Sequence, residues 1–248
     1  MVDGNIRLAV MNRQARILDP RMSNLTVFVA GAGMVGSWAA LSLVRAVGNG
    51  VHVWDNDTVE DVNVGVQAYD GTMVGMPKAD ALARMAMEPP IVAHVGLFPE
   101  FEANDLLLEY PTDDVVVLCA VDSMAGRRQI AEWSRDNGVG LFLETGVKAE
   151  LVVVKTAVTP EDYERYLAGL PGDDEVEDAQ CGLKGTAYAG MSLASQIVPL
   201  VNGWCKGDRL PRMRLFHTGY FMPIEGREDE EGGTPEQQPQ ELEQTEGQ

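Results

Sequence analysis

Three glycines near the start of the chain have the spacing of a phosphate-binding turn. Gly31, Gly33 and Gly36 directly follow an apolar, strand-like run and open a helical pattern. Glycines at these places let the backbone turn tightly and approach a phosphate, which then meets the positive end of the helix dipole. Asp55 follows 19 residues after Gly36, where a carboxylate can accept hydrogen bonds from ribose hydroxyls. The pattern predicts a nucleotide site, against the alternative of a structural turn without a ligand, and leaves the nucleotide undecided.

Four polar segments extend this pattern along the chain. They are Asn12-Arg13-Gln14, the run Asp55-Asn-Asp57-Thr-Val-Glu-Asp-Val-Asn63-Val-Gly-Val-Gln67, the run Val74-Gly-Met-Pro-Lys78, and Asp122-Ser-Met-Ala-Gly-Arg127. In order, they resemble the N-R-Q, D-x-D-x-V-x-x-x-N-L-x-R-Q, V-G-x-P-K and D-x-x-x-x-R motifs of the ThiF/MoeB/HesA family. The resemblance covers roughly residues 10–220. One such segment would be a weak signal, but four in order identify the chain as a member of this family.

The resemblance implies an ATP-dependent adenylyltransferase of the type that activates ubiquitin-like modifiers. In this family a substrate carboxylate, usually the C-terminal glycine of a small ubiquitin-like or sulfur-carrier protein, attacks the α-phosphorus of ATP and pyrophosphate leaves. The barrier lies in bringing two anions together and in spreading charge over the phosphoryl oxygens. The implied cofactors are ATP and Mg²⁺. No zinc is expected, because the CxxC pairs that hold zinc in many relatives are absent.

The resemblance also implies a role for each matched polar residue. Lys78 would neutralise the phosphates, and Asp55 would bind the ribose. Asp122 would hold Mg²⁺, a cation that prefers oxygen ligands. Arg13 would act as an arginine finger supplied by the other subunit of a homodimer. The remaining matched residues would line the nucleotide pocket, orienting phosphate or supporting its wall: Asp57, Asn63 and Gln67.

Several of these residues have structural alternatives. Lys78 could be a solvated lysine at a helix start, Asp57 a turn or cap residue, and Arg127 a brace of the local fold. Val66 stands where the family motif has an arginine that contacts phosphate. A missing cation should weaken transition-state stabilisation by about a few kcal/mol unless a neighbour replaces it.

This departure leaves two other functions open. The first is a catalytically weakened member of the family that serves as a binding subunit. The second is an NAD-dependent oxidoreductase, which would explain the glycines and Asp55 but gives no role to Lys78 or Asp122.

Cys181 is the candidate acceptor of the activated substrate. It follows the acidic run LPGDDEVEDAQ at 170–180, which is predicted to be a mobile crossover, and precedes a helical pattern of small and apolar residues. The acceptor cysteine of the family, where one is used, sits in this place, with a glycine four positions on, here Gly185. A thiol on such a loop can attack an adenylate to give a thioester. The alternative is an inert cysteine. We expect structural roles for the other cysteines and the histidines: Cys119, Cys205, His52, His94 and His217.

The elements that must position these residues alternate between strands and helices. Strands are predicted over Leu25–Ala30, Val51–Trp54, Val92–Val95, Val115–Ala120, Leu141–Glu144 and Leu151–Thr156. Helices are predicted over Val35–Val47, Lys78–Met87, Ala125–Asn137 and Met191–Trp204. Apolar strands alternating with helices are typical of a parallel sheet covered on both faces. The predicted fold is α/β, a doubly wound, Rossmann-like, mostly parallel sheet with helices on both faces and C-terminal antiparallel strands.

Length and composition fit one domain followed by a tail. The 248 residues, 45% of them hydrophobic, suffice for one α/β domain with a sizeable core, predicted over residues 1–224 as a ThiF-like adenylation domain. From Glu225 the sequence is rich in Glu, Gln, Gly and Pro and has almost no apolar residue. It cannot bury enough surface to offset the entropy of ordering, so residues 225–248 are predicted to be an acidic disordered tail.

The charge limits the choice of partners. The formal net charge is −19, and the tail, with nine acids and one arginine, supplies −8 of it, which leaves −11 for the body. An acidic body argues against nucleic-acid binding, which depends on cationic contacts with phosphate. No apolar run approaches the ~20 residues that span a bilayer, and the first residues lack the apolar core of a secretory signal. We therefore expect a cytoplasmic protein that binds neither nucleic acid nor membrane.

Overall fold

The computed structural model describes residues 12–86, 90–99, 101–171, 185–218 and 222–223. Within these residues, eight strands form one sheet. The strands are β1 (Thr26–Ala30), β2 (Gly50–Asp55), β3 (Ile91–Val95), β4 (Val115–Cys119), β5 (Leu141–Lys148), β6 (Leu151–Ala157), β7 (Met213–His217) and β8 (Met222–Pro223). The α-helices that cover the sheet are α1 (Gly36–Leu43), α2 (Lys78–Met85), α3 (Phe101–Leu107), α4 (Met124–Asp136), α5 (Pro160–Ala168) and α6 (Ala187–Cys205).

The strand order places a change of winding direction at the centre of the sheet. The order is β3-β2-β1-β4-β5-β6-β7-β8. The five strands from β3 to β5 are parallel, and the pairs β5–β6, β6–β7 and β7–β8 are antiparallel. Because β1 lies between β2 and β4, its carboxyl end is the switch point at which ligands bind in open α/β sheets. The predicted fold class, including the antiparallel C-terminal strands, is confirmed.

Alternating residues of the central strands face two separate cores. Val27 and Val29 of β1 pack with helices α1 and α6, whereas Phe28 packs on the opposite face with α3, α4 and α5. Every residue of β1, β2 and β4 is buried. Both faces of these strands are covered, so the strands are apolar throughout and lack the alternation of a half-exposed strand.

The segment before β1 is tied to the far end of α6. Asn202 accepts a hydrogen bond from the backbone N–H of Asp19 at 2.7 Å and donates one to the carbonyl of Ile17 at 3.3 Å. These bonds join residues that are more than 180 positions apart, 183 in the first case. They hold the start of the domain against one of its last helices.

The helices differ more from the prediction than the strands do. Helices α3 and α5 were not predicted, and α6 begins at Ala187, four residues before the predicted start at Met191. Strand β5 continues past Glu144 to Lys148. Residues 172–184, which contain Cys181, and the tail from residue 225 lie outside the described residues. Among those described, none of the helices combines the length and apolar character that crossing a bilayer requires.

Candidate functional site

The glycine turn lies between β1 and α1, against the end of β4. Gly31 has φ of +93°, in the left-handed region that favours glycine. A Cβ atom at this position would lie 2.8 Å from the carbonyl oxygen of Ala120, which directly follows β4. The amide of Gly31 donates to the carbonyl of Trp54 at 2.9 Å. The turn is thus fixed between the ends of its two neighbouring strands.

The other two glycines of the motif meet different surroundings. A Cβ at Gly36 would lie 1.9 Å from the carbonyl oxygen of Gly31, so the first residue of α1 packs directly on the turn. A Cβ at Gly33 would have no heavy atom within 4 Å. Gly36 is therefore required by the packing of the protein itself, whereas Gly33 faces open space that a ligand can approach.

Asp55, the last residue of β2, holds the turn from the side. It is 9% exposed. Its Oδ2 accepts a hydrogen bond from the amide of Ala32 at 2.6 Å, and its Oδ1 accepts one from the amide of Asp57 at 2.8 Å. A carboxylate oxygen has two lone pairs, so each oxygen keeps capacity for one further donor, such as a ribose hydroxyl.

Tyr69 is a residue of the site that the sequence analysis did not identify. Its hydroxyl donates to the carbonyl of Ala32 at 2.7 Å and also lies 3.4 Å from the carbonyl of Lys78. Burial, followed by the charges of Asp55 and Asp57, raises the pKa of this hydroxyl above its usual range, so it stays a donor. The only sequence signal is one aromatic side chain in a polar segment between two motifs.

Lys78 is the buried cation of the site. It is the first residue of α2, its side chain is 8% exposed, and its Nζ lies 2.8 Å from Oδ2 of Asp57. Its backbone amide also donates to the carbonyl of Asp57 at 2.9 Å. The alternative of a solvated lysine is therefore wrong. Asp57 is more than a turn residue, because its carboxylate forms an ion pair with Lys78. Lysine has three donor hydrogens, so Nζ can retain Asp57 and still donate to a phosphate oxygen.

Asn63 and Gln67 lie in the segment between Asp57 and Lys78. Asn63 accepts a hydrogen bond from the amide of Glu60 at 2.9 Å and its carbonyl accepts one from the amide of Gln67 at 2.9 Å. The amide oxygen of Gln67 is buried and has no hydrogen-bond partner among the described residues. That oxygen can accept from a hydroxyl or a water, whereas a deprotonated phosphate oxygen has no hydrogen to donate to it.

Asp122 follows β4 at the switch point and is exposed. The preceding carbonyl, of Val121, accepts a hydrogen bond from Nε of Arg127 at 3.1 Å. Arg127 also donates to Glu144, a fully buried carboxylate whose second oxygen lies 3.5 Å from Nζ of Lys155. Arg127 therefore braces the loop that carries Asp122. This is the structural alternative that the sequence left open for Arg127.

The surroundings of Asp122 fit a magnesium ion bound together with a nucleotide. The described residues contain no group of three or more histidine, cysteine, aspartate or glutamate side chains that could hold a metal. Mg²⁺ usually binds through one or two carboxylates, several waters and the phosphates of the substrate. One exposed carboxylate beside the glycine turn is enough for such a site.

Arg13 is not brought to the glycine turn of its own chain. It is exposed, and the side chain of its neighbour Gln14 donates to the carbonyl of Arg45 at 2.9 Å. Helix α1 begins at the turn and runs away from it, so the nine residues from Gly36 to Arg45 span roughly 14 Å at a rise of ~1.5 Å per residue. The other matched residues lie around the turn: Gly31, Gly33, Gly36, Asp55, Asp57, Lys78 and Asp122.

The two cysteines within the described residues are poor nucleophiles. Burial, and then the nearby Glu144, raise the pKa of Cys119 to about 12. Burial raises the pKa of Cys205 to about 11. Since the thiolate is the reactive form, neither thiol is activated. Cys181 lies outside the described residues, and its acceptor role stays a prediction.

Comparison with known proteins gives a match over most of the chain. The ThiF family matches residues 5–225. The tRNA threonylcarbamoyladenosine dehydratase 2 of Saccharomyces cerevisiae is 29% identical over 152 residues, which are 57% of this chain and 34% of that protein. The chain therefore spans about a third of the length of this relative.

Solved structures share the fold at low sequence identity. The tRNA N6-threonylcarbamoyladenosine dehydratase TcdA of E. coli superimposes with a TM-score of 0.62 at 17% identity, covering 84% of this chain and 98% of TcdA. MccB of E. coli, crystallised with ATP, superimposes with a TM-score of 0.60 at 13% identity, covering 82% of this chain and 63% of MccB.

Proposed function

The chain belongs to the ThiF family, and from this membership and the geometry of the site we propose that it activates a substrate carboxylate with ATP. A carboxylate oxygen would form a bond to the α-phosphorus, and the bond from that phosphorus to the bridging oxygen of pyrophosphate would break. Pyrophosphate leaves with the electron pair, and an acyl-adenylate remains. The structure of MccB with ATP supports the choice of nucleotide.

The observation that carries this proposal is the buried ion pair of Lys78 and Asp57 beside the glycine turn. A lysine that is 8% exposed at the start of a helix is placed to meet phosphate charge with little competition from water. The alternative of an NAD-dependent oxidoreductase gives no specific role to Lys78. Because a carboxylate is already nucleophilic, the reaction needs no general base, and the protein has to supply positioning and positive charge.

Each part of the site has a task in this reaction. The backbone around Gly33 and the start of α1 would receive the phosphates, and Asp55 would accept hydrogen bonds from the ribose. Lys78 would donate to the phosphate oxygens. Asp122 would hold Mg²⁺, which, when bound, would offset the negative charge of the phosphates. These roles are proposals that rest on the placement of the residues around one turn.

We propose the C-terminal carboxylate of a small ubiquitin-like or sulfur-carrier protein as the substrate, in a homodimer to which Arg13 contributes across the interface. Cys181 would then accept the acyl group as a thioester. The yeast relative favours a second candidate, the carboxylate of threonylcarbamoyladenosine in tRNA. A chain with a net charge of −19 is poorly suited to bind tRNA, which carries a negative phosphate at every nucleotide, so the carrier protein is favoured.

Exchange of labelled pyrophosphate into ATP tests the proposed function. The exchange should require a carrier protein with a free C-terminal carboxylate. A matched carrier with an amidated C-terminus should give none, because the amide cannot attack phosphorus. Exchange with threonylcarbamoyladenosine-containing tRNA and not with carriers would select the second candidate. Tight NADH binding without any response to ATP would remove the adenylation proposal altogether.

A further inference from the structure

A cavity of about 180 Å³ lies between α5 and the β6–β7 pair, apart from the glycine turn. Its lining has three cationic side chains and one carboxylate, drawn from three different elements: Lys155, Arg165, Arg212 and Asp162. Three cations around one small cavity are notable in a chain with twice as many acidic as basic residues, 38 against 19.

The carboxylate in the cavity is already engaged. Asp162 accepts hydrogen bonds from the amides of Val158 and Thr159 at 3.4 and 3.2 Å, as part of the capping box of α5. It also pairs with Arg165 at 3.1 Å. Asp162 therefore offsets one cation of the cavity at most.

The other two cations are incompletely neutralised. Arg212 is exposed and has no ion-pair partner among the described residues. Lys155 lies 3.5 Å from the buried Glu144, which is already paired with Arg127, and it lies over the ring of Tyr166, 5.5 Å from the ring centroid. The cavity thus presents an excess of positive charge to an anionic group.

The tail that follows β8 contains such anionic groups, and an extension of β8 would lead towards the cavity. Strand β8 is antiparallel to β7, with Pro223 opposite Phe216 and Met222 opposite His217. A chain extended from Pro223 in that direction would pass along β7 towards Arg212. At ~3.3 Å per residue, the four residues from Phe216 back to Arg212 span about 13 Å, and an extended segment from Pro223 would cover that distance at Arg227, one residue before Glu228.

We propose that the acidic run Glu228-Asp-Glu-Glu231 binds to this cationic cavity of its own chain. It is a run of four consecutive acids that directly follows Arg227, the residue at which an extended chain would come level with Arg212. The later acids of the tail are separated by Gln, Gly, Thr, Pro and Leu, and lie farther from Pro223: Glu236, Glu241, Glu243 and Glu246. A short tether keeps the run at a high effective concentration, so a contact made only by charges can be populated.

Zero-length carbodiimide coupling of the full-length protein tests this contact, because the reagent joins a carboxylate to an amine only when the two are in contact. Peptide mass spectrometry should find an amide between Lys155 and one of residues 228–231. The yield should fall by at least ~fivefold in 1 M NaCl, where the screening length is ~3 Å. Mixing ¹⁴N- and ¹⁵N-labelled protein distinguishes coupling within one chain from coupling between copies.

Matched variants distinguish binding by residues 228–231 from a general effect of the negative charge of the tail. Neutralising the run with Glu228→Gln, Asp229→Asn, Glu230→Gln and Glu231→Gln should abolish the product. Neutralising the four later acids to glutamine, with the same change of net charge, should leave it. Arg212→Gln should lower the yield, whereas Arg209→Gln, at an exposed arginine outside the cavity lining, should not. Equal coupling to Lys206, coupling that survives neutralisation of the run, or coupling only between copies would overturn the proposal.

Discussion

At the scale of single residues, the ammonium group of Lys78 and the carboxylate of Asp122 lie on two sides of the glycine turn. Lys78→Ala and Asp122→Ala should each lower pyrophosphate exchange by at least ~100-fold, a typical loss for a preorganised charge contact. Lys206→Ala is a matched control, because it removes an exposed lysine beyond α6. A variant with the wild-type rate would remove that residue from the site.

Cys181 allows two chemical steps to be separated. If it accepts the acyl group, Cys181→Ser should retain ATP–pyrophosphate exchange and lose the carrier adduct that reducing agents release. Cys205→Ser should affect neither step, since burial raises the pKa of that thiol to about 11. An adduct that persists in the Cys181 variant would place the acceptor elsewhere. Absence of an adduct in the wild type would mean that the adenylate is passed to another partner.

The residues of the site divide by how much of their role could be predicted from the sequence. Asp55, Asp57 and Lys78 lie within motifs, and their placement around one turn follows from strand ends that meet at the same edge of the sheet. Tyr69 could not be predicted, because its hydroxyl acts on the backbone carbonyls of two separate segments, 37 and 9 positions away. The pairing of Lys78 with Asp57 likewise depends on how two loops meet, which a linear spacing of 21 residues does not show.

At the scale of elements, the start of α1 depends on the absence of a side chain at Gly36. Gly36→Ala should lower the melting temperature and abolish nucleotide binding, because its Cβ would lie 1.9 Å from the carbonyl oxygen of Gly31. Gly33→Ala is the matched control, since its Cβ has no neighbour within 4 Å and the fold should stay intact. Calorimetry and ATP titration measure the two effects separately. An unchanged melting temperature for Gly36→Ala would contradict the packing argument.

The pairing of β2 with β3 should make stability depend on pH. His52 of β2 is buried, its Nδ1 lies 3.0 Å from Nε2 of His94 on β3, and burial followed by His94 lowers its pKa from 6.5 to about 4. The unfolded chain therefore takes up a proton between these pH values that the folded chain does not. The contribution of His52 to the free energy of unfolding should be complete above pH ~6.5. It should be lost as the pH falls towards 4, which lowers the free energy of unfolding by up to ~3 kcal/mol.

Denaturant unfolding of wild type and His52→Gln at several pH values measures that contribution. The carboxylates titrate in both proteins, so the difference between the two slopes isolates the histidine. Equal slopes would show that the folded protein protonates His52 as readily as the unfolded chain does.

The strands could be predicted from the sequence more fully than the helices. Strands buried on both faces are continuous apolar runs, and this signal needs no knowledge of the neighbours. The sequence does not predict helix α5, although Thr159 and Asp162 form a capping box at its start and Pro160 is its first residue. The apolar face of this helix consists of only two tyrosines and a leucine, which is too narrow to show a clear helical period. Helix α3 has only seven residues, too few for a reliable helical period.

At the scale of the whole molecule, the proposed finger role of Arg13 requires two chains, because Arg13 lies away from the glycine turn of its own chain. Arg13→Ala and Lys78→Ala should each be inactive in pyrophosphate exchange. A mixture of the two should recover part of the activity, because hybrid dimers contain one site with both wild-type residues. Unimpaired exchange by Arg13→Ala would contradict the finger role, and inactive variants that do not complement would place both residues in one chain's site.

The central position of β1 has a consequence for the way the protein is made. Strand β1, the first of the described strands, needs β4 as a neighbour, and β4 begins at Val115, 85 residues after β1 ends at Ala30. The bond from Asp19 to Asn202 spans 183 residues. At about 5–20 residues per second, a ribosome takes roughly 10–40 s to supply that partner. Strand β4 follows sooner, after roughly 4–17 s at this rate, and until then one edge of β1 stays unpaired, so the growing chain is more exposed to aggregation than the finished protein.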